Sequence, residues 1–425
     1  MLFHGRASAL ALSRSGFACA SVFLTVAALA WGYGGIRGEK LWWIAPPAVA
    51  LLVAALIVGR TRRMLRDPFF WTSLSLIALL AVPFLNTTVR WLPFCINRYG
   101  QLNVFLWFAP TLLAALTVRQ VMDDADRLRL LELLTLNGFA LAIVGWLQLA
   151  TGARAPLWET VPPGFTTVHF FSTFGYPNMS GDYFTTVAGL AAGLAMHEGG
   201  RRRTFFAFVS AVCAASAFAS LSRGAIMLCS VLIAAIAVRA LFVALSTFDR
   251  RRIRRVFAVS TLAVAVAVAG TALLLPKSVK DEFAALDMTK VCARLTGDSQ
   301  YHVDLALAMW KDHPLFGVGG WGYKYLTNEY AKHRPWIRVQ KFGGINVHND
   351  PVQFLAEHGA VGFALMLGSL ALLIMPLIGR RREPLVFAIL TVCALTTLHS
   401  FGDAIFRSPA IMSLYAVILG FGGRG

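Results

Sequence analysis

Charge is scarce in this chain of 425 residues: Asp, Glu, Lys and Arg make up only 14% of it, where a soluble domain carries about a quarter. With 57% hydrophobic residues and a mean hydropathy of +0.64, that shortage excludes a single large soluble domain. Acids are scarcer than bases, 21 against 39, leaving a net charge of +18. Such a surplus can mark a nucleic-acid binder, but no aromatic-interleaved basic groove accompanies it, so no nucleic-acid partner is expected. The six cysteines (Cys19, Cys95, Cys213, Cys229, Cys292, Cys393) lack CxxC or zinc spacing. Four of them lie inside apolar runs, where they read as small hydrophobes. HExxH and DxD are missing from the loops 86–101, 151–180, 276–350 and 401–407, and no internal repeat is evident.

Long apolar runs are what the sequence has instead. They recur at the length of about 17–25 residues that crosses a hydrocarbon core of roughly 30 Å. The spans read as 16–33, 41–59, 68–85, 102–118, 128–150, 181–197, 204–221, 224–245, 256–275, 351–378, 384–400 and 408–422. The expected fold is an all-α polytopic membrane protein of about 12 transmembrane helices with a large, partly helical loop. Arg6, Arg14, the run from Phe17 and Ala28-Leu29-Ala30 imitate a secretory signal. A retained first transmembrane helix fits as well, and the topology works with it.

Basic clusters fix the expected orientation. Arg60/Arg62/Arg63/Arg66, Arg201/Arg202/Arg203, Arg250 to Arg255 and Arg380/Arg381/Arg382 follow spans 2, 6, 8 and 10. They therefore share one side, which the positive-inside rule makes cytoplasmic, with both termini. On the opposite face lie 86–101, 151–180, the turn at Ser222, 276–350 and 401–407. The chain divides into helices 1–9 with short loops (1–275), a loop or cap (276–350) and helices 10–12 (351–425). About 75 residues exceed a plain connector. Within them Tyr301 to Asp312 has helical composition, broken by His313-Pro314 and Gly317 to Gly320.

Three features of this outer face bear on chemistry. Arg223 interrupts an apolar stretch at a helix start, where it either snorkels to water or grips an anion with its fork. His348 stands just before span 10, where Asp350 as N-cap and Pro351 as first helical residue explain the helix start but not the histidine. An imidazole there can serve as a general base toward a hydroxyl, although a loop histidine can also be incidental. Arg90, Arg98, Arg154, Arg294, Arg334, Arg338 and Arg407, with Lys277, Lys280, Lys290 and Lys341, make this face unexpectedly basic. An anionic ligand such as a diphosphate, or phospholipid headgroups, would account for that. A metal held by His348, Asp350, Glu357 and His358 is the competing reading, but helical spacing separates those groups by two turns.

Four stretches in order resemble the O-antigen ligase/polymerase family of bacterial envelope glycosyltransferases: FSTFGYPNMSGDYF (Phe171 to Phe184), SLSRGAIM (Ser220 to Met227), ALAMWKDHPLFGVGGWGY (Ala306 to Tyr323) and VHNDPVQFLAEHGAVGF (Val347 to Phe363). The resemblance implies an inner-membrane, metal-independent enzyme without a cofactor. Its reaction moves a glycan from undecaprenyl diphosphate to an acceptor on the periplasmic face. In ligases the acceptor is a hydroxyl of lipid A–core; in polymerases it is another lipid-linked repeat, and related enzymes glycosylate protein hydroxyls. Carried over by position, His348 matches the family's essential base and Arg223 the arginine that holds the donor diphosphate. Asn178 lies in the family's Pro-Asn element, and Asn349 and Asp350 flank the histidine as supporting residues. Many members carry an arginine where this chain reads Asp298-Ser299-Gln300-Tyr301-His302. Arg294 is then the nearest replacement as second diphosphate ligand, with His302 or a lysine as the alternative. A flippase for an anionic lipid is the reading from another class, but it would place ionisable groups mid-membrane. A scaffold would leave the basic outer face unexplained.

Overall fold

The computed structural model describes residues 13–35, 38–59, 64–160, 170–246, 258, 298–332 and 346–423. Every apolar run within them is helical. The helices are α1 (Arg14–Trp31), α2 (Gly38–Val58), α3 (Pro68–Ala81), α4 (Arg98–Gln120) and α5 (Asp124–Ala150). They continue with α6 (Pro177–His197), α7 (Gly200–Ala219), α8 (Arg223–Ser246), α9 (Asp298–Asp312) and α10 (Gly322–Lys332). The last three are α11 (Asp350–Gly379), α12 (Pro384–Ser400) and α13 (Pro409–Gly420). Local chemistry sets the starts. Ser13, Asp67, Asn97, Asp123 and Asn349 each turn a side-chain oxygen onto a first-turn amide. Proline opens α3, α6, α12 and α13, where its missing N–H costs nothing. Apart from residue 258, run 256–275 lies outside the described residues, as do the basic cluster at 250–255 and Arg60, Arg62 and Arg63.

Among the described residues eight helices, α1 to α5 with α7, α8 and α11, are long and apolar enough to cross a membrane, α3 by running on to Leu85, and α12 and α13 are shorter apolar helices. At 21 residues, α6 has the length but opens on Asn178, Ser180, Asp182, Thr185 and Thr186. Burial explains that polarity. Almost all of α6 from Met179 to Ala195, and the whole of α13, face protein. The apolar window of α4 is 78% buried whereas that of α8 is 17% buried. So α4, α6 and α13 form the interior, and α8 turns Met227, Val231, Val238, Leu241 and Phe242 outward, as a lipid-facing helix must.

The two ends of the bundle are built differently. At one end the buried Arg127 pairs with Asp124 at 3.0 Å and donates to the carbonyls of Val118, Arg119 and Gly423. Arg119 pairs with Asp67 at 2.5 Å. The loops after α2 and α4 and the C-terminal segment therefore meet, as the charge alternation requires. At the other end Thr173 donates to the Ala30 carbonyl (2.7 Å), Ser408 to that of Gly34 (2.9 Å), and the Gly320 amide to Gln101 (2.5 Å). This second end carries the candidate site.

The cap helices α9 and α10 join this end through a break in α11. Gly359 takes φ 64° and ψ −173°, a conformation open essentially to glycine. The carbonyls of Ala356 and Glu357 accept from the amides of Val318 (3.0 Å) and Gly319 (2.8 Å). Ala360 and Val361 donate in turn to the carbonyls of Pro314 (2.8 Å) and Leu315 (3.1 Å). The loop His313 to Gly320 thus supplies the hydrogen bonds that the helix gives up. The sequence suggests that Gly359 permits close packing; its backbone shows that it is the break itself. A Cβ on Gly359 would lie 2.3 Å from the Leu315 carbonyl carbon. Gly359→Ala should therefore cost about 3 kcal/mol through strain and overpacking, read as a lower unfolding midpoint of the purified protein in detergent.

Candidate functional site

His348 is placed by its neighbours on both sides. Val347 is fully buried, in a small core with Leu305, Ala306, Met309, Tyr323 and Ala356, and its amide donates to Gln353 at 2.9 Å. Asn349 is the N-cap of α11, its Oδ1 accepting from the Val352 amide at 3.1 Å. Its Nδ2 donates to the Phe401 carbonyl at 3.0 Å, which ties the start of α11 to the end of α12. The expected cap, Asp350, is instead the first residue of the helix. It is buried and accepts from the Phe406 amide at 2.7 Å. Between these anchors His348 takes φ 55°, a left-handed conformation uncommon for a residue with a side chain.

That backbone turns the imidazole onto Asp403, in the loop between α12 and α13, with Nδ1 2.9 Å from Oδ1. A carboxylate only accepts, so Nδ1 carries the proton and Nε2 is the nitrogen presented to a substrate. The side chain of His348 is 45% exposed whereas that of Asp403 is 6% exposed. Asp403 also accepts from Tyr176 Oη (3.1 Å to each oxygen), from Asn178 Nδ2 and from the Ala404 amide (2.7 Å). Burial pushes this carboxyl up, but the His348 hydrogen bond and charge, the Ala404 amide and Asn178 outweigh it and hold the group below its usual range. For His348 the hydrogen bond to Asp403 is the largest effect. It raises the imidazole above its ordinary value against the opposing pull of burial, helped by the charges of Asp403 and Asp350.

The other sequence-derived candidates divide. Asn178, at the start of α6, reaches Asp403 and Tyr176 and so supports the carboxylate rather than standing apart. His302 on α9 lies with its ring centroid 6.4 Å from that of His348, and its Nδ1 is 2.5 Å from the hydroxyl of buried Tyr323. Arg223 is half-buried as the first residue of α8, behind a turn in which Leu221 has φ 63° and Ser222 accepts from the Ala225 amide at 3.2 Å. Arg294 lies outside the described residues, as do Arg334, Arg338 and the lysines at 277, 280, 290 and 341.

Two expectations need correction. Arg407 is not part of a ligand-seeking basic surface: it pairs with Glu357 at 2.9 Å, lies 3.9 Å from Asp350, and stacks over Trp107. Glu357 is committed to Arg407 and Gln353, Asp350 to the Phe406 amide, His348 to Asp403, and His358 packs on Phe354, so the four groups of the metal reading are engaged with protein groups. The spans are also less free of ionisable groups than their hydropathy implies. Buried Asp182 on α6 accepts from His399 Nδ1 (3.0 Å) and Thr396 (3.0 Å), both on α12.

Sequence reasoning missed Asp403 and Tyr176. The only signal was an acid in the short loop 401–407, on the same face as the histidine, and a tyrosine two residues before Asn178. No curated protein matches the chain. Residues 206–367 match the family described as O-antigen ligase. That bears out the resemblance carried by the motifs and supports ligase-type or polymerase-type glycan transfer. The matched segment holds Arg223, His302 and His348.

Proposed function

We propose that this protein transfers a glycan from undecaprenyl diphosphate to an acceptor hydroxyl at the periplasmic face of the inner membrane. The preferred acceptor is the sugar of lipid A–core. The observation that carries this reading is the His348–Asp403 pair. An exposed imidazole with a fixed tautomer and a raised basicity is suited to take the proton of an incoming hydroxyl. Asp403 orients the ring and stabilises the imidazolium as it forms, while Tyr176, Asn178 and the Ala404 amide keep Asp403 ionised.

The hydroxyl attacks the anomeric carbon, the bond to the diphosphate oxygen breaks, and the configuration inverts. The hydroxyl proton goes to His348 Nε2, and the diphosphate departs with the bonding pair. A leaving diphosphate is already a good leaving group. It needs neighbouring positive charge, which Arg223 supplies, with Arg294 or His302 as the second contact. No metal or cofactor enters the scheme.

Reconstituting the purified protein with undecaprenyl-diphosphate glycan and, separately, lipid A–core tests the proposal. Glycan joined to the core supports ligation, whereas a lengthened lipid-linked chain replaces it with polymerisation. Lipid movement across the bilayer without transfer would replace it with transport. In the same assay Arg223→Ala should lower kcat/KM by about a hundredfold, the usual size for one lost electrostatic contact to a developing charge. Normal turnover would remove Arg223 from the site.

A further inference from the structure

A second histidine–aspartate pair joins α12 to α6, its histidine one turn before Asp403. His399 is 7% exposed and Asp182 2% exposed, with His399 Nδ1 3.0 Å from Asp182 Oδ1. The other carboxylate oxygen accepts from Thr396 at 3.0 Å, and Thr396 lies 3.2 Å from Thr186 on α6. Asp182 is therefore held between α6 and α12, and His399 Nδ1 carries the proton it accepts.

The far side of the ring faces α8. A Cβ on Gly224 would lie 2.8 Å from His399 Nε2, so the imidazole sits directly against the residue that follows Arg223. Gly181, one residue before Asp182, makes the matching close approach: its Cβ would meet that of Ala225 at 2.3 Å. Both glycines let α6, α8 and α12 converge at one point. The backbone of His399 has a separate task, since its carbonyl accepts from the amides of Gly402 and Asp403, each at 3.0 Å. One residue thus touches the start of the Arg223 helix with its ring and the Asp403 turn with its carbonyl.

From this juxtaposition we infer that His399 is a positioning residue, which sets Arg223 at the donor diphosphate in register with the His348–Asp403 base. The inference rests on the glycosyl-transfer reading of the site. An ordinary buried histidine would satisfy Asp182 and no more. Here the ring also defines how closely the first turn of α8 approaches, and glycine at position 224 leaves no slack for another arrangement. A shift of α8 moves Arg223 but leaves His348, whose anchors are on α11 and the Asp403 loop.

The test uses full-length protein in nanodiscs and measures the Kd for undecaprenyl diphosphate with the KM values of donor and acceptor. His399→Ala should weaken undecaprenyl diphosphate binding and raise donor KM by about tenfold, the effect of losing one buried hydrogen bond to a charged group. Acceptor KM should stay as it is. His399→Asn, whose amide N–H can still donate to Asp182, should recover most of that loss. Gly224→Ala, which pushes against the ring, should reproduce the donor defect, and it carries the test if His399→Ala does not fold. Wild-type-like donor binding in both His399→Ala and Gly224→Ala, or equal damage to donor and acceptor KM, overturns the positioning role. A wild-type protein that binds undecaprenyl diphosphate but transfers no glycan overturns the transfer reading. In that case the binding comparison still decides whether His399 sets the Arg223 helix.

Discussion

His348→Ala should lower turnover by about a thousandfold, within the range that a positioned general base contributes, while the protein still inserts and stays folded. The size follows from the geometry. Nε2 is the ring nitrogen left to substrate once Nδ1 is bonded to Asp403, and the acceptor hydroxyl is a weak nucleophile until its proton has somewhere to go. Folding should survive because the anchors around the histidine do not involve its ring. Val347 is bonded to Gln353, and Asn349 to Val352 and Phe401. Loss of the hydrogen bond to buried Asp403 leaves that carboxylate one donor short, so a modest loss of stability is expected, about 1 kcal/mol. His348→Gln is the sharper control, since its amide fills similar space and can bond Asp403 but cannot accept a proton. Transfer rates, with donor and acceptor saturating, distinguish the outcomes. If either variant turns over normally, the base lies elsewhere.

The helical framework was legible in the sequence because lipid and core impose one requirement on it. Apolar length located the helices among the described residues, and the contacts of Arg127 and Arg119 bring the loops after α2 and α4 and the C-terminal segment together at one end. The break at 313–320 was legible too, from proline and closely spaced glycines. What those glycines accomplish was not. The backbone bonds between Val318 and Ala356, and between Ala360 and Pro314, join segments some forty residues apart that share no periodicity.

For the site, the residue that meets substrate could be found from its chemistry and the family motif, whereas its support could not. Asp403 is 55 residues from His348 and 225 from Asn178 along the chain. Its loop, FGDAIFR, looks like an ordinary connector. Arg407 shows the converse error: a cation on the outer face was read as a ligand for phosphate, but the acids that neutralise it lie on α11, hidden in an apolar run. Local sequence reveals which groups are present; which charges cancel is decided by contacts between distant helices.

Asp403 is consequently the position where a change should act on His348 without touching the reacting atoms. Asp403→Asn should lower the plateau of kcat by about a thousandfold, as much as removing the base itself. An amide presents an N–H as readily as a carbonyl, so it can hold the ring in the tautomer that places the proton on Nε2, the wrong nitrogen for a base. The pH profile separates this from simple disruption. The hydrogen bond from His348 to Asp403 is the main cause of the raised imidazole pKa, with the carboxylate charge adding to it. Removing both favours the neutral ring, so the acidic limb of kcat/KM should move to lower pH even as the plateau falls. Tyr176→Phe and Asn178→Ala leave the carboxylate in place but remove one donor each. With fewer donors the carboxylate keeps more of its charge for the imidazole, so the acidic limb, which His348 sets, should stay at or slightly above its wild-type pH. An Asp403→Asn profile that keeps its wild-type acidic limb would mean that the limb reports a group other than His348, and the pair would then be structural.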